Sequence, residues 1–207
     1  MCKFTRQEQN SKYNMFQQIK KYIDSCVHLS NEEQDYFNNL LIHKSFPKKK
    51  MLLSKGEICQ FEAFILKGCV KTYFIDKNGF EIILTFATEK WWISDINSFH
   101  EQIPSEMYIE TIEETELLII NPQTKEQILH HIPSLERMFR LMVQRHLGTY
   151  QERLFTNIAL TAEERYNLFL QKYPDLPQRV PQHLIASYLG ISAEFLSRIR
   201  NRKQKNK

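Results

Sequence analysis

Glycine and proline are scarce, five and seven in 207 residues. That excludes a collagen-like repeat or a low-complexity disordered chain, and 42% hydrophobic content is enough to bury one large core or two modest ones. Long apolar runs are also missing. No stretch approaches the roughly 18 apolar residues of a membrane span, and the opening MCKFTRQEQNSKYN has no apolar segment of the signal-peptide kind. The expectation is a globular, cytoplasmic protein with no membrane partner. Cysteine is sparse too: Cys2, Cys26, Cys59 and Cys69 are scattered without a CxxC pair, so reduced thiols are expected rather than a disulfide framework or a zinc site. The histidines, among them His28, His43, His100, His130, His131 and His146, are not spaced as a metal set. They are expected at the surface, and no metal or other cofactor is expected.

What the chain does have is charge, unevenly placed. It carries 28 basic and 24 acidic residues, and residues 193–207 hold six of the basic ones against a single acid, Glu194. A nearly neutral body with a cationic end fits a polyanion partner, because lysines and arginines on phosphates release condensed counterions. A solvated tail has the same composition.

The middle of the chain reads as sheet. From Lys44 to Ile120 the segments KMLLSKGEI, FEAFILKGCVKTYFI, FEIILTFA and YIETIEETELLII alternate with turn signals. Asn78-Gly79 suits a tight hairpin turn, and Gly56 and Gly68 mark further corners. With no long helix before residue 122, this favours an antiparallel sandwich or roll, covered at one end by helices between about Lys12 and Leu41. The period then changes. Asn121-Pro122 opens a short helix that Pro133 ends. In the next, Phe139, Val143, Leu147, Tyr150, Leu154 and Ile158 recur at spacings of three and four, one apolar stripe on a helix of about seven turns. Part of that stripe is expected to form a homodimer seam, although a helix lying wholly on its own core remains open.

The stretch PQHLIASYLGISAEFLSRIRNRK, residues 181–203, carries the sharpest signal. Leu184, Ile185 and Leu189 make one apolar face, small Ala186 allows close crossing, Gly190 supplies a positive-φ corner, Ile191 turns inward, and Ser192 caps a second helix that buries Leu196 and Ile199. This is the helix-turn-helix pattern. Glu194, Ser197 and Arg198 fall on the opposite face of the second helix, at i, i+3 and i+4, so all three can face a major groove. An arginine fork matches guanine, a glutamate accepts from the cytosine amino group, and serine can do either, so the trio is fit to read a G·C pair. Ser192, Arg200, Arg202 and Lys203 are expected on phosphates, with Gln182 and His183 near the backbone. The plain alternative for Glu194 and Arg198 is an exposed helix pair worth a few tenths of a kcal/mol.

A strand-rich roll, a long connecting helix and a C-terminal helix-turn-helix, in that order, resemble the Crp/Fnr family of bacterial transcription regulators. The stretch TAEERYNLFLQKYPDLPQRVPQHLIASYLGISAEFLSRIR is similar to the DNA-binding ends of members from Bacteroidetes. The resemblance implies an α+β fold: an antiparallel jelly roll of the cyclic-nucleotide-binding kind over residues 1–132, a dimerisation helix over 133–160 and a DNA-binding unit over 161–207. It also implies a homodimer that binds palindromic promoter DNA and contacts RNA polymerase. The spacing E-x-x-S-R is similar to the Fnr branch and implies TTGA-like arms; the catabolite-regulator type would carry an arginine at Ala193. The hairpin wing that follows the second helix in well-known members is expected to be reduced or absent, leaving flanking phosphates to the basic tail. The family's cyclic-nucleotide pocket has a Gly-Glu pair and an Arg-Ser pair; here Ser94-Asp95 and Ser105-Glu106 stand in those places, without a cation. Cyclic AMP control is therefore not expected, and Trp92, Asp95, Ser105 and Glu106 are the candidate lining of a pocket for some other small effector. The iron–sulfur branch is not matched, since only Cys2 and Cys26 lie near the N-terminus. Two other classes compete: a protein-interaction module with a basic helical end, and an enzyme using Asp95, His100 and Glu106. No nucleophile elbow, phosphate loop or metal motif accompanies the latter.

Overall fold

The Asn78-Gly79 turn forms as its residues dictate. Gly79 takes φ +84°, and the Asp76 carboxylate accepts the N–H groups of Asn78 and Phe80, both at 2.9 Å. β4 (Val70–Ile75) therefore returns as its antiparallel partner β5 (Glu81–Ala87). The computed structural model describes residues 6–205, with side chains from residue 15 to residue 202. Cys2 lies outside the described residues, and so does the side chain of Lys203.

Two four-stranded antiparallel sheets form the roll. One runs in the order β1 (Ile42–Phe46), β8 (Thr115–Ile120), β3 (Glu62–Lys67), β6 (Trp92–Ile93); the other runs β2 (Met51–Leu53), β7 (Tyr108–Thr111), β4, β5. This is the expected α+β architecture. Its corner at Gly68 takes φ +104°, and a Cβ there would stand 2.6 Å from the Glu114 carbonyl oxygen, so only glycine fits. Three elements escape the sequence pattern: β1, whose IHKSF does not alternate; β6, two residues long; and the short helix α3 (Ile96–Glu101).

Helices α1 (Arg6–Asp24), α2 (Asn31–Leu40) and α4 (Pro122–His131) cover the first sheet. Asn121 caps α4 as expected, its side chain accepting from Thr124 N–H at 2.8 Å. The long helix α5 (Leu135–Ala159) buries Leu135, Met138, Phe139 and Met142 in that same core. Phe139 therefore does not belong to an exposed seam. It is 4% exposed and meets the Trp92 ring edge-on at 5.9 Å. The stripe drifts around the helix, since four-residue steps overshoot a 3.6-residue turn, and its first member points into the roll. Among the described residues, no helix is long and apolar enough to cross a membrane.

The remaining helices, α6 (Ala162–Lys172), α7 (Leu176–Arg179), α8 (Gln182–Leu189) and α9 (Ala193–Lys205), pack on the second sheet. Among the described residues no strand follows β8. Tyr73, Ile83 and Phe86 of the roll share one core with Phe169, Ile185, Leu189 and Leu196. The junction is also polar. Thr72 pairs with Thr85 and Tyr73 with Ile83, which leaves Leu84 as a bulge on the edge strand β5. Arg153 of α5 donates to the carbonyls of Leu84 and Ile83, the latter at 2.6 Å, and to Tyr188 of α8 at 3.0 Å. Ser187 of α8 accepts from Ile83 N–H at 3.1 Å and donates to the Glu81 carbonyl at 2.6 Å. At the far end Arg179 lies between Glu89, at 2.8 Å, and Glu113.

A buried ion pair ties α4 to β3. Lys125 Nζ lies 2.8 Å from Glu62, whose side chain is 1% exposed, and 4.3 Å from the centre of the Phe139 ring. Burial pushes the Glu62 pKa up, but hydrogen bonds and charge from His100 and Lys125 outweigh it, so the net shift is downward. The pair therefore stabilises the fold above the ordinary glutamate value of 4.5, and that stabilisation is lost as pH falls through the depressed folded-state value. Lys125→Met should cost about 3–5 kcal/mol at pH 7 by leaving an unpaired buried carboxylate. Urea unfolding should show the gap to wild type narrowing as pH is lowered, and a gap independent of pH would contradict the pairing.

Candidate nucleic-acid interface

The corner between α8 and α9 is built from backbone hydrogen bonds. Gly190 adopts φ +67°, its N–H donates to the Ser187 carbonyl at 3.0 Å, and Ile191 N–H reaches the Ala186 carbonyl at 3.0 Å. Ser192 then caps α9, its Oγ accepting from Phe195 N–H at 3.2 Å. Leu184, Ile185, Ala186, Leu189, Leu196 and Ile199 are all buried, so the apolar half of the motif is consumed in packing. Ile191 is half-buried against the same core.

Glu194, Ser197 and Arg198 stand exposed together on the outer face of α9. The Glu194 carboxylate has its pKa lowered, first by its own backbone N–H, then by the Ser192 hydroxyl and the nearby Arg198 charge. It is thus an ionised acceptor, which is the form a cytosine amino group requires. Arg198 lies with its guanidinium 5.2 Å from the centre of the Phe195 ring. His183, Ser192 and Arg202 are exposed, and Gln182 and Arg200 half-exposed.

The seam residues separate into two groups. Phe139 is in the core, whereas Val143, Leu147, Tyr150, Leu154 and Ile158 are exposed, from 39% for Val143 to 78% for Ile158, with Phe155 beside them at 65%. Six large apolar side chains on one helix facing water is more than a single chain needs.

The effector residues are not brought together as a set. Trp92 and Asp95 line a cavity of about 260 Å³ between the roll and α5, along with Trp91, His146 and Tyr150. Ser105 and Glu106 do not line it. Ser105 donates to Asp95 at 2.7 Å, and Asp95 also caps α3 through Ser98 N–H at 3.2 Å, so both are spent on the loop. Glu106 points outward and pairs with Lys55 at 2.6 Å. Trp92 is 2% exposed, wedged against Phe64 and Phe139. Among the described residues no lysine or arginine lines the cavity, and burial lowers the pKa of His146, which stacks on Trp91 at 5.1 Å, favouring its neutral form. His131 stacks on Tyr36 at 3.9 Å and His100 sits 3.6 Å from Glu62, yet both stay exposed at the surface as expected. Asp95, His100 and Glu106 are not brought together: Asp95 lines the cavity, His100 meets Glu62, and Glu106 meets Lys55.

Sequence reasoning missed Arg153, Ser187 and Arg179. A lone arginine beside an apolar stripe and a serine inside a helix carry no spacing signal, since their partners are backbone groups and acids far along the chain.

Residues 43–131 match the cyclic nucleotide-binding domain family. The cAMP-activated global transcriptional regulator CRP of Escherichia coli O157:H7 is 23% identical over 174 residues, 79% of this chain and 82% of that one. Among solved structures, FixK2 of Bradyrhizobium japonicum aligns with a TM-score of 0.70 at 16% identity, covering 80% of this chain and 85% of the other. CLP of Xanthomonas campestris, described as a c-di-GMP responsive global regulator, gives 0.68 at 15% identity over 86% and 93%. At these identities the structural likeness speaks for the fold alone.

Proposed function

We propose that the chain is a transcription regulator of the Crp/Fnr family that binds palindromic promoter DNA as a homodimer, reading each arm with Glu194, Ser197 and Arg198. The observation that carries this reading is the outward trio on α9, presented by a capped helix whose opposite face buries Leu196 and Ile199. Arg198 supplies the bidentate contact to guanine, Glu194 accepts from the paired cytosine, and Ser197 bonds nearby. Ser192, Arg200, Arg202 and Lys203 hold phosphates, and Gln182 and His183 meet the backbone at the start of α8, fixing register without reading sequence. RNA polymerase is the further partner that such a promoter-bound dimer would contact. A basic helical end that binds only a protein would not need so ordered an outer face. The exposed stripe from Val143 to Ile158 supports α5 as the two-fold seam.

The relatives differ in what their names say they respond to: cyclic AMP for the Escherichia coli protein and cyclic di-GMP for the Xanthomonas one. The roll therefore does not dictate a ligand. Among the described residues of this chain the cavity offers no cation for a cyclic phosphate, and the negative charge of Asp95, though held by Ser105 and Ser98, lies at its wall. The reading is a regulator independent of cyclic AMP, with any effector of the roll being a different, uncharged or cationic small molecule.

Three measurements follow. Arg198→Ala should cost about 1–3 kcal/mol in binding and relax preference at one G·C pair per arm, read by competition with all four bases at that step; unchanged preference would displace the reading face. Leu154→Glu should halve the mass seen by light scattering while leaving the roll folded, since Leu154 is 63% exposed in the single chain. A wild-type protein that is already monomeric at high micromolar concentration would remove the seam. Calorimetry with cyclic AMP should give no saturable heat, and micromolar binding would overturn the proposed independence.

A further inference from the structure

A second cavity, of about 360 Å³, opens between α5, α6 and α8, and it shares no lining residue with the cavity beside the roll. We propose that it binds a small organic carboxylate, whose anionic group bridges Arg153 and Arg165 while its apolar body lies on Phe169, Tyr173 and Tyr188. The inference stands apart from the DNA-binding reading.

Helix α8 brings the two arginines together. Arg153 Nη2 donates to the Tyr188 carbonyl at 3.0 Å, and Arg165 Nε donates to the next carbonyl, that of Leu189, at 3.1 Å. Capping the last carbonyls of a helix is an ordinary task for a cation, and by itself it needs no cavity. Two observations go beyond it. Both guanidinium groups belong to half-buried residues, yet among the described residues their partners are all backbone carbonyls, those of Ile83, Leu84 and Tyr188 for Arg153 and of Leu160 and Leu189 for Arg165. Each also keeps a donor in hand: Arg153 Nε is buried without a hydrogen-bond partner, and Arg165 Nη2 has none among the described residues. Carbonyls accept hydrogen bonds but supply no counter-charge, and a guanidinium drawn out of water is ordinarily paired with an acid. Burial accordingly pulls the Arg153 pKa down. An anion in the cavity would supply the missing charge.

The walls select the class of anion. Phe169 lies 5.4 Å from the Tyr173 ring and 5.5 Å from the Tyr188 ring, centre to centre, and the Arg153 guanidinium lies 4.3 Å from the centre of Tyr188. Such a surface suits a ring or a short hydrocarbon body rather than a bare inorganic ion. The two other charged residues of the lining, Lys172 and Glu152, pair with each other. The Glu152 carboxylate opposes the two charges of a phosphate more than the single charge of a carboxylate. The volume is at the small end of ligand cavities, which run from roughly 300 to 1,000 Å³. An occupant would meet the same Arg153 that joins α8 to the bulge of β5, so the site adjoins the contact that orients α9.

Calorimetry on the full-length protein tests this with benzoate, phenylacetate and 4-methylpentanoate, with phenylacetamide and inorganic phosphate as controls. At least one of the three carboxylates should bind saturably, one molecule per chain, while the uncharged amide and phosphate give no saturable heat at the same concentrations. Arg165→Gln should weaken that carboxylate roughly ten- to hundredfold by removing a charge-assisted hydrogen bond. Glu152→Gln should tighten it by about two- to fivefold by removing the opposing acid. Circular dichroism checks both variants. Glu152 is exposed, so its variant keeps the test decisive if loss of Arg165 loosens α8. No saturable heat from any of the three carboxylates overturns the site, and so does equal binding of the amide or of phosphate. Binding that Glu152→Gln leaves unchanged puts the ligand elsewhere and overturns the assignment to this cavity.

Discussion

The free edge of β5 is the constraint on which the rest of the structure depends. An edge strand presents a row of unpaired donors and acceptors, and the bulge at Leu84 adds carbonyls that no neighbouring strand can take. Leaving such groups buried without partners costs about 1–3 kcal/mol each. Here Arg153 takes the Leu84 and Ile83 carbonyls, and Ser187 takes Ile83 N–H and the Glu81 carbonyl. Helix α8 therefore completes the sheet. Tyr73 and Phe86 of the roll bury against Phe169 and Ile185 in the same place, so the polar closure is surrounded by an apolar one.

This places the functional parts on one frame. Arg153 lies on α5 between Tyr150 and Leu154, so a single stretch of that helix carries both the latch to the roll and the exposed stripe proposed as the dimer seam. Because α8 is fixed to β5 and α9 follows through the tight Gly190 corner, the direction of the outer face of α9 is set relative to α5. In a two-fold dimer that relation decides the distance between the two reading helices, and with it the half-site spacing. The cavity beside the roll is lined by Leu84 on one side and Tyr150 on the other. The position proposed for an effector thus adjoins the latch that orients α9.

Much of this was legible in the residues, for local reasons. The Asn78-Gly79 turn, the Asn121 cap and the Gly190 corner each need one or two residue types at fixed offsets, and all three form as expected. The exposed placement of Glu194, Ser197 and Arg198 follows from helical spacing once Leu196 and Ile199 face inward. What escaped was non-local. Phe139 matches the stripe in spacing, and only the packing of α5 on the roll reveals that it belongs to the core. Ser105 and Glu106 align with a pocket position in sequence, yet the loop spends one on Asp95 and turns the other out to Lys55. The Arg153 latch joins side chain to backbone across about seventy positions, and no spacing rule reaches that far.

The central claim is that two copies of this chain present two copies of the α9 face to a palindrome. Selection of bound duplexes from a random-sequence pool by the wild-type protein, followed by sequencing, measures this most directly. The account predicts enrichment of an inverted repeat with a G·C pair at the same step of each arm and a centre-to-centre spacing of about one helical turn, roughly 10 base pairs. Recovery of no enriched sequence, or of a single half-site without its inverted partner, would contradict it.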